Sequence, residues 1–164
     1  MVATRPRKKA KAAQKPVKKP AKKARTKKDA LKTTQTTQSV DAFLRGVPKV
    51  RQEQARTAIK MLRRITGQPP RMWGPSIIGF GRYRYTTKSG RQGEMCAAAF
   101  SPRKASFVFY VDADAIDEAL WLRLGTYKRG LSCVYVQKFE DIDLGVLEHI
   151  LKASYARVKA THRG

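Results

Sequence analysis

The sequence predicts an α+β domain in which a small antiparallel sheet of about four or five strands packs against N-terminal, middle and C-terminal helices. Apolar residues recur at helical spacing over 49–66 and 144–155. Between these two segments lie short runs of strand-forming residues, separated by turns rich in glycine, proline and charge. A basic segment with few apolar residues precedes the domain, and this composition predicts a disordered tail.

The tail and linker are expected to cover residues 1–38, and the domain residues 39–164. Residues 1–38 contain 14 Lys or Arg and one acid, Asp29, in a chain of formal net charge +24. Prolines at positions 6, 16 and 20 prevent a continuous helix. The Thr/Gln stretch at 33–38 is expected to be a linker. The Lys/Ala/Pro composition resembles the tails of linker histones and of bacterial histone-like proteins.

This charge favours association with nucleic acid, because lysines neutralise phosphates and release counterions without reading base edges. The alternative is a tail that only solubilises the domain. Acidic lipid is a weaker candidate, since no apolar anchor accompanies the charge. The residues expected to contact phosphates are Lys8, Lys9, Lys11, Lys15, Lys18, Lys19, Lys22, Lys23, Arg25, Lys27 and Lys28.

Cellular location is predicted from what the sequence lacks. Two cysteines without a CxxC motif indicate a reducing compartment. No apolar run is long enough to span a bilayer, and the basic N-terminus has no apolar core of a secretory signal. We therefore expect a cytoplasmic protein without a membrane partner, and association with the nucleoid remains open.

The first part of the domain is predicted to be helical. Ser39 is a candidate N-cap, with Asp41 in the first turn. A longer helix is expected over 49–66, stopped by Gly67. Its basic residues lie largely off the apolar stripe, so they either face solvent or contact nucleic acid: Arg51, Arg56, Lys60, Arg63 and Arg64.

The segment Met72–Gly81 is expected to join this helix to the sheet, with Gly74-Pro75 as a turn and a strand from Ser76. Gly79 indicates a bulge or a close backbone approach. Residues 82–86 and 94–100 then form a hairpin. Its alternating arginines and tyrosines either stack bases or, as we favour, make a half-buried hairpin.

The C-terminal half continues with strand and helix signals. Residues 105–111 form the most strand-like run. A helix is expected from Asp112–Asp117 to Gly125, a loop over 126–130, a strand over 131–136, and a last helix capped at 141–143.

Three motifs occur in order: Met72–Gly81, Phe100–Lys104, and Leu124-Gly125 through Lys128 to Ser132–Tyr135. They resemble the YdhG-like family of bacterial domains of unknown function, over roughly residues 39–158. The resemblance implies a bacterial α+β domain related to frataxin-like architectures. Members mostly lack an assigned activity, and at least one has been proposed as an iron chaperone. Thr126 and Leu131 stand where the family has lysines, which implies weaker anion binding here.

An anion site for a small ligand is expected where the two loops after residues 102 and 125 meet at one end of the sheet. Its candidates are Arg103, Lys104, Lys128 and Ser132, with Trp73 or Tyr135 as the floor. The alternative is that Arg103 and Lys104 are ordinary loop charges and that Trp73 belongs to the core.

Iron is an alternative ligand, for which Asp112, Asp114 and Asp117, with Glu118, are the first candidates. Glu140, Asp141 and Asp143 form a second acidic group. Both groups lie at helix starts, where acids also stabilise the helix dipole. No other cofactor is expected.

Catalysis is not predicted, because Cys133 lies in a strand and the histidines lie on or beyond the last helix. The sequence therefore favours a non-enzymatic binding domain, tethered to nucleic acid by its tail without sequence specificity. The alternative is a frataxin-like protein that binds or delivers iron and has a solubilising tail.

Overall fold

The order of helices and strands follows the predicted α+β pattern. The computed structural model describes residues 33–162, so the eleven predicted phosphate-binding residues of the tail lie outside it. The helices and strands, in chain order, are α1 Val40–Arg45, α2 Lys49–Thr66, β1 Pro70–Trp73, β2 Ile77–Phe80, β3 Tyr83–Thr86, β4 Gln92–Met95, β5 Ala98–Pro102, β6 Phe107–Tyr110, α3 Glu118–Arg123, β7 Lys128–Arg129, β8 Cys133–Val136 and α4 Leu144–Thr161. Short 3-10 turns cover Ala113–Ala115 and Phe139–Asp141.

The sheet is antiparallel, as predicted, and larger than expected. Six strands pair in the order β1-β2-β5-β6-β8-β7, and β3 and β4 form a separate two-stranded sheet. The predicted strand over 94–100 is divided, because the chain turns at Cys96-Ala97. Its first part pairs with β3, and its second part enters the main sheet between β2 and β6.

The helices cover one face of this sheet. Phe80, Phe100, Phe107 and Phe109 are fully buried on that face, and the core extends to apolar residues of α2 and α4. α2 packs against both β5 and α4. We call the opposite face of the six-stranded sheet the outer face.

The helix signals in the sequence are confirmed where they are local. The side chain of Ser39 accepts a hydrogen bond from Ala42 N and caps α1. α2 ends at Gly67 with φ +66°, and Asp143 caps α4. Among the helices that the structure describes, none has the length and apolar character to cross a membrane.

The segment around Trp73 is a hairpin and not the expected joint between helix and sheet. β1 and β2 pair from Pro70–Phe80 to Trp73–Ile77, around the turn at Gly74-Pro75. The close approach expected at Gly79 is confirmed, since a Cβ there would lie 2.5 Å from Cys96 Cβ and 2.6 Å from Trp73 Cδ1.

The predicted linker is partly built into the sheet. Thr36 N donates to Met72 O and Gly74 N donates to Thr34 O, both at 2.8 Å. Gln35 and Trp73 form an antiparallel bridge. Residues 34–36 therefore pair with the free edge of β1, and paired backbone begins before the predicted domain start at residue 39.

We expect a chain that begins at Ser39 to be less stable than one that begins at Thr33, by about 1–2 kcal/mol, because two hydrogen bonds to β1 are lost. Urea unfolding of the two chains measures this difference. The chain beginning at Thr33 is the control for removal of the basic segment. Equal unfolding free energies would show that the pairing at 34–36 does not stabilise the domain.

Candidate functional site

Exposed cations form a stripe along α2. At 100° per residue, Lys49, Arg56, Lys60 and Arg63 fall within a sector about 60° wide and about 21 Å long. All four residues are exposed, and within residues 33–162 none of them forms an ion pair. Glu53, the single acid of α2, is exposed beside them. We call these four residues the α2 basic stripe.

The other two basic residues of α2 behave differently. Arg64 Nη2 lies 2.7 Å from Glu148 Oε2 on α4. This contact lowers the pKa of Glu148 below its ordinary value, chiefly through the hydrogen bond. Arg51 was expected off the apolar stripe, yet it is 8% exposed and its guanidinium bonds to the backbone. Arg51 is therefore not free to bind phosphate, and the charge of Arg64 is paired with that of Glu148.

The outer face carries a second group of polar residues, which the strand register brings together. Phe107, Phe109, Val134 and Val136 point into the core, so their neighbours along β6 and β8 point outward. Tyr110 is paired with Cys133. Tyr135 is paired with Val108 on one side and with Lys128 of β7 on the other.

Arg103 reaches onto this face from the end of β5. Its Nη2 donates to the Tyr110 hydroxyl at 3.1 Å. Tyr110 and Tyr135 are half-buried, whereas Arg103 and Lys128 are exposed. We call Arg103, Tyr110, Lys128 and Tyr135 the tyrosine patch.

The ring of Tyr135 is held in place by its neighbours. A Cβ on Gly130 would lie 3.3 Å from Tyr135 Cε2, so the ring lies close over that glycine. Cys133, through its proximity and a side-chain hydrogen bond, raises the pKa of the Tyr135 hydroxyl, and Arg103 lowers it. The phenol is therefore neutral at physiological pH.

The predicted anion site is assembled only in part. Arg103, Lys128 and Tyr135 share the outer face, and the lining of a cavity of about 390 Å³ includes Lys128, Tyr135 and the acid Asp141, but not Arg103. Ser132 lies elsewhere, in a cavity near the C-terminus of α4. Trp73 is 1% exposed in a cluster with Cys96 and Ala99, so it belongs to the core.

Lys104 holds an intermediate position. Its side chain is exposed, and its carbonyl accepts a bond from Arg51 Nη2 at 3.4 Å. Arg103, Lys128 and Tyr135 therefore lie together on the outer face of the sheet, and not in two loops that meet at one end of it.

The β3–β4 hairpin has the favoured half-buried arrangement. Tyr83 and Tyr85 are half-buried, and Arg84 and Thr86 between and beyond them are exposed. Tyr83 stacks on His162 with 4.5 Å between ring centroids. The ring face of Tyr83 that stacks on His162 is therefore not available to a base.

The acids proposed for iron do not come together. Among residues 33–162, no three Asp, Glu, His or Cys side chains lie close enough to share an ion. The Asp117 carboxylate accepts a bond from Ala119 N as the cap of α3, and Asp114 is exposed in the preceding 3-10 turn. The described residues therefore offer no group of three ligands at Asp112, Asp114 and Asp117, and the alternative iron site stays a prediction.

The two cysteines differ in burial. Burial raises the pKa of the Cys96 thiol to about 12, so this group stays protonated and unreactive near neutral pH. Cys133 is half-buried on the outer face beside Tyr135. Both histidines have other partners, since His149 Nδ1 lies 2.8 Å from Gly145 O and His162 stacks on Tyr83.

No family model, curated protein or solved structure matches this chain. The resemblance to the YdhG-like family therefore stays a prediction.

Sequence reasoning missed Tyr110 as a site residue. A signal was present, because Tyr110 ends a run in which Phe107 and Phe109 alternate with Val108, and alternation assigns Tyr110 to the face opposite the phenylalanines. This alternation alone does not identify Tyr110 as a site residue, because only the strand pairing shows that Arg103 and Tyr135 lie on the same face.

Proposed function

We propose that the protein binds nucleic acid without sequence specificity and without catalysis. The Lys-rich segment over residues 1–38 supplies most of the charge, and the α2 basic stripe supplies a second contact within the domain. Both act on phosphates. The small-ligand site and the iron site expected from the sequence are not needed for this function.

The observation that carries the proposal is the α2 basic stripe. Its four cations lie exposed on one helix face with a single acid, Glu53, beside them, and within residues 33–162 none of the four forms an ion pair. Unpaired cations over about 21 Å of helix can each neutralise a phosphate and release its counterion. A face that served only solubility would be expected to alternate cations with acids, as ion-paired helices do.

The charge balance of the whole chain supports the same conclusion. Residues 39–164 still contain 22 Lys or Arg against 11 Asp or Glu. The six strands of the main sheet contain no acid at all. Basic charge is thus present in both the N-terminal segment and the domain, which attracts polyanions over a long range.

The test is binding to a labelled random-sequence duplex across a salt series, with the full chain beside a chain beginning at Thr33. Each phosphate contact contributes about 0.9 to the slope of log affinity against log salt. We expect a steep slope for the full chain and a shallower one for the shortened chain, which keeps the domain contact. Absence of binding by the full chain at moderate salt would contradict the proposal.

Charge-matched variants of the shortened chain locate the domain contact. Arg56→Gln with Lys60→Gln removes two stripe cations, and we expect the salt slope to fall by about 2. Arg84→Gln with Lys88→Gln removes the same charge from the β3–β4 hairpin and is the control. If both pairs weaken binding equally, net charge alone is responsible and α2 is not the contact.

A further inference from the structure

We propose that the tyrosine patch is a stacking site for unpaired nucleotides of single-stranded nucleic acid. In this site Tyr135 stacks on a base, while Arg103 and Lys128 contact the phosphates on either side. This goes beyond the phosphate binding proposed above, because it distinguishes single strands from duplexes. It also stands independently, since it uses neither the N-terminal segment nor α2.

The position of Tyr135 in the sheet carries the first step of the argument. It lies on β8, with Lys128 directly opposite on the edge strand β7. Arg103 approaches from β5, two strands away on the other side. With strands about 4.8 Å apart, β5 and β7 are about 14 Å from each other, so the backbones at Arg103, just after β5, and at Lys128 stand on either side of Tyr135.

The second step is that the aromatic ring is preorganised. Tyr135 lies close over Gly130, where a Cβ would stand 3.3 Å from the ring, and its hydroxyl is near Cys133. Tyr110 is fixed by the bond from Arg103. Arginine has five donors, so this bond leaves most of its guanidinium for a phosphate. A ring already held in place loses little freedom when a base stacks on it.

Charge complementarity selects the occupant. The strands of the main sheet carry no acid, and the exposed side chains of the patch are cations. A polyanion with accessible aromatic faces fits this surface, and sheet faces with exposed aromatics bind single strands in this way. A duplex offers phosphates but keeps its bases stacked inside, so it cannot use Tyr135.

The first experiment compares the full chain with its Tyr135→Leu, Tyr135→Phe and Tyr85→Leu variants. The affinity of each protein is measured for a labelled oligothymidylate and, separately, for a duplex of equal length. We expect Tyr135→Leu to weaken single-strand binding about ten-fold while duplex binding is unchanged, because base–aromatic stacking is lost. Tyr135→Phe keeps the ring and should bind like the natural chain. Tyr85→Leu is the control for loss of a half-buried tyrosine elsewhere.

A second measurement uses the unaltered protein and so does not depend on how the variants fold. Cys133 lies beside Tyr135, and Cys96 is buried with a raised pKa. Oligothymidylate should slow alkylation of Cys133 several-fold, whereas the duplex should not. An abasic oligonucleotide of the same charge should give little protection, because it has no base to stack.

Three results would overturn the proposal. One is a Tyr135→Leu variant that loses duplex and single-strand binding to the same extent. Another is equal protection of Cys133 by duplex, abasic strand and oligothymidylate. The third is full protection by free thymidine monophosphate at the same nucleotide concentration, which would assign the patch to a small ligand. Duplex binding by a chain without residues 1–32 tests the phosphate binding proposed above. Its result does not change how the three results for the tyrosine patch are interpreted.

Discussion

Replacement of Arg51 with alanine is expected to lower the free energy of unfolding by about 3 kcal/mol. The side chain is 8% exposed on α2. Its Nη1 donates to Gln54 Oε1 and to Gln137 O, each at 2.7 Å, and its Nη2 donates to Lys104 O at 3.4 Å. Burial lowers the pKa of the guanidinium, and the groups that bind it are carbonyl oxygens and not carboxylates.

The expected loss is large because three acceptors would lose their donor together. They belong to α2, to the β5–β6 loop and to the segment after β8, so one side chain joins three separate parts of the chain. Lysine cannot replace it, since an ammonium group lacks the planar fork that reaches all three acceptors. We therefore expect Arg51→Lys to lower the free energy of unfolding nearly as much as Arg51→Ala does.

Urea unfolding with a matched control tests this expectation. Arg56→Ala removes an exposed arginine from the same helix, and we expect a change within about 0.5 kcal/mol. Similar unfolding free energies for Arg51→Ala and Arg56→Ala would show that the buried contacts contribute little. The same loop carries Arg103 next to Lys104, so loss of this anchor should also weaken the tyrosine patch.

The parts of the fold that could be predicted are those with local signals. α2 has the predicted bounds, because an apolar stripe and a glycine at φ +66° both act within a few residues. The caps at Ser39 and Asp143 are equally local. Antiparallel pairing followed from short strands with turns between them, although β7 has only two residues and exists because β8 pairs with it.

What could not be predicted depends on distant partners. Residues 34–36 have the composition of a linker, and only β1 makes them part of a sheet. Arg51 has the same residue type and spacing as its exposed neighbours on α2, and its burial is decided by the β5–β6 loop and by Gln137.

The candidate site shows the same limit. Arg103 and Lys128 were named from the sequence as parts of two loops and Tyr135 as a candidate floor, but the register of β6, β7 and β8 places them on one face. Trp73 was a candidate floor for a pocket, and its packing against Cys96 and Gly79 removes it from any surface. Residue type identified the chemistry, and pairing decided which residues meet.

The joint between α3 and β7 gives the largest expected effect of a single substitution. Gly125 has φ +107°, and a Cβ there would collide with Asp141 O and lie 3.0 Å from Ile142 Cα. Two hydrogen bonds fix the surrounding backbone: Thr126 N donates to Asp141 O at 2.9 Å, and Asp143 N donates to Leu124 O at 2.8 Å. Since the neighbours are backbone atoms, they cannot move aside cheaply. We expect Gly125→Ala to lower the free energy of unfolding by about 4 kcal/mol.

Gly90→Ala is the matched control, because Gly90 also has positive φ, +80°, but has open space where a Cβ would stand. Gly90→Ala should lower the free energy of unfolding only by the cost of a left-handed backbone at alanine, about 1–2 kcal/mol. Urea unfolding of both variants separates the collision at Gly125 from the strain that the two positions share. Equal losses would mean that the segment carrying Lys128 can shift away from the start of α4. In that case Lys128 would not be held opposite Tyr135, and the tyrosine patch would have to form on binding.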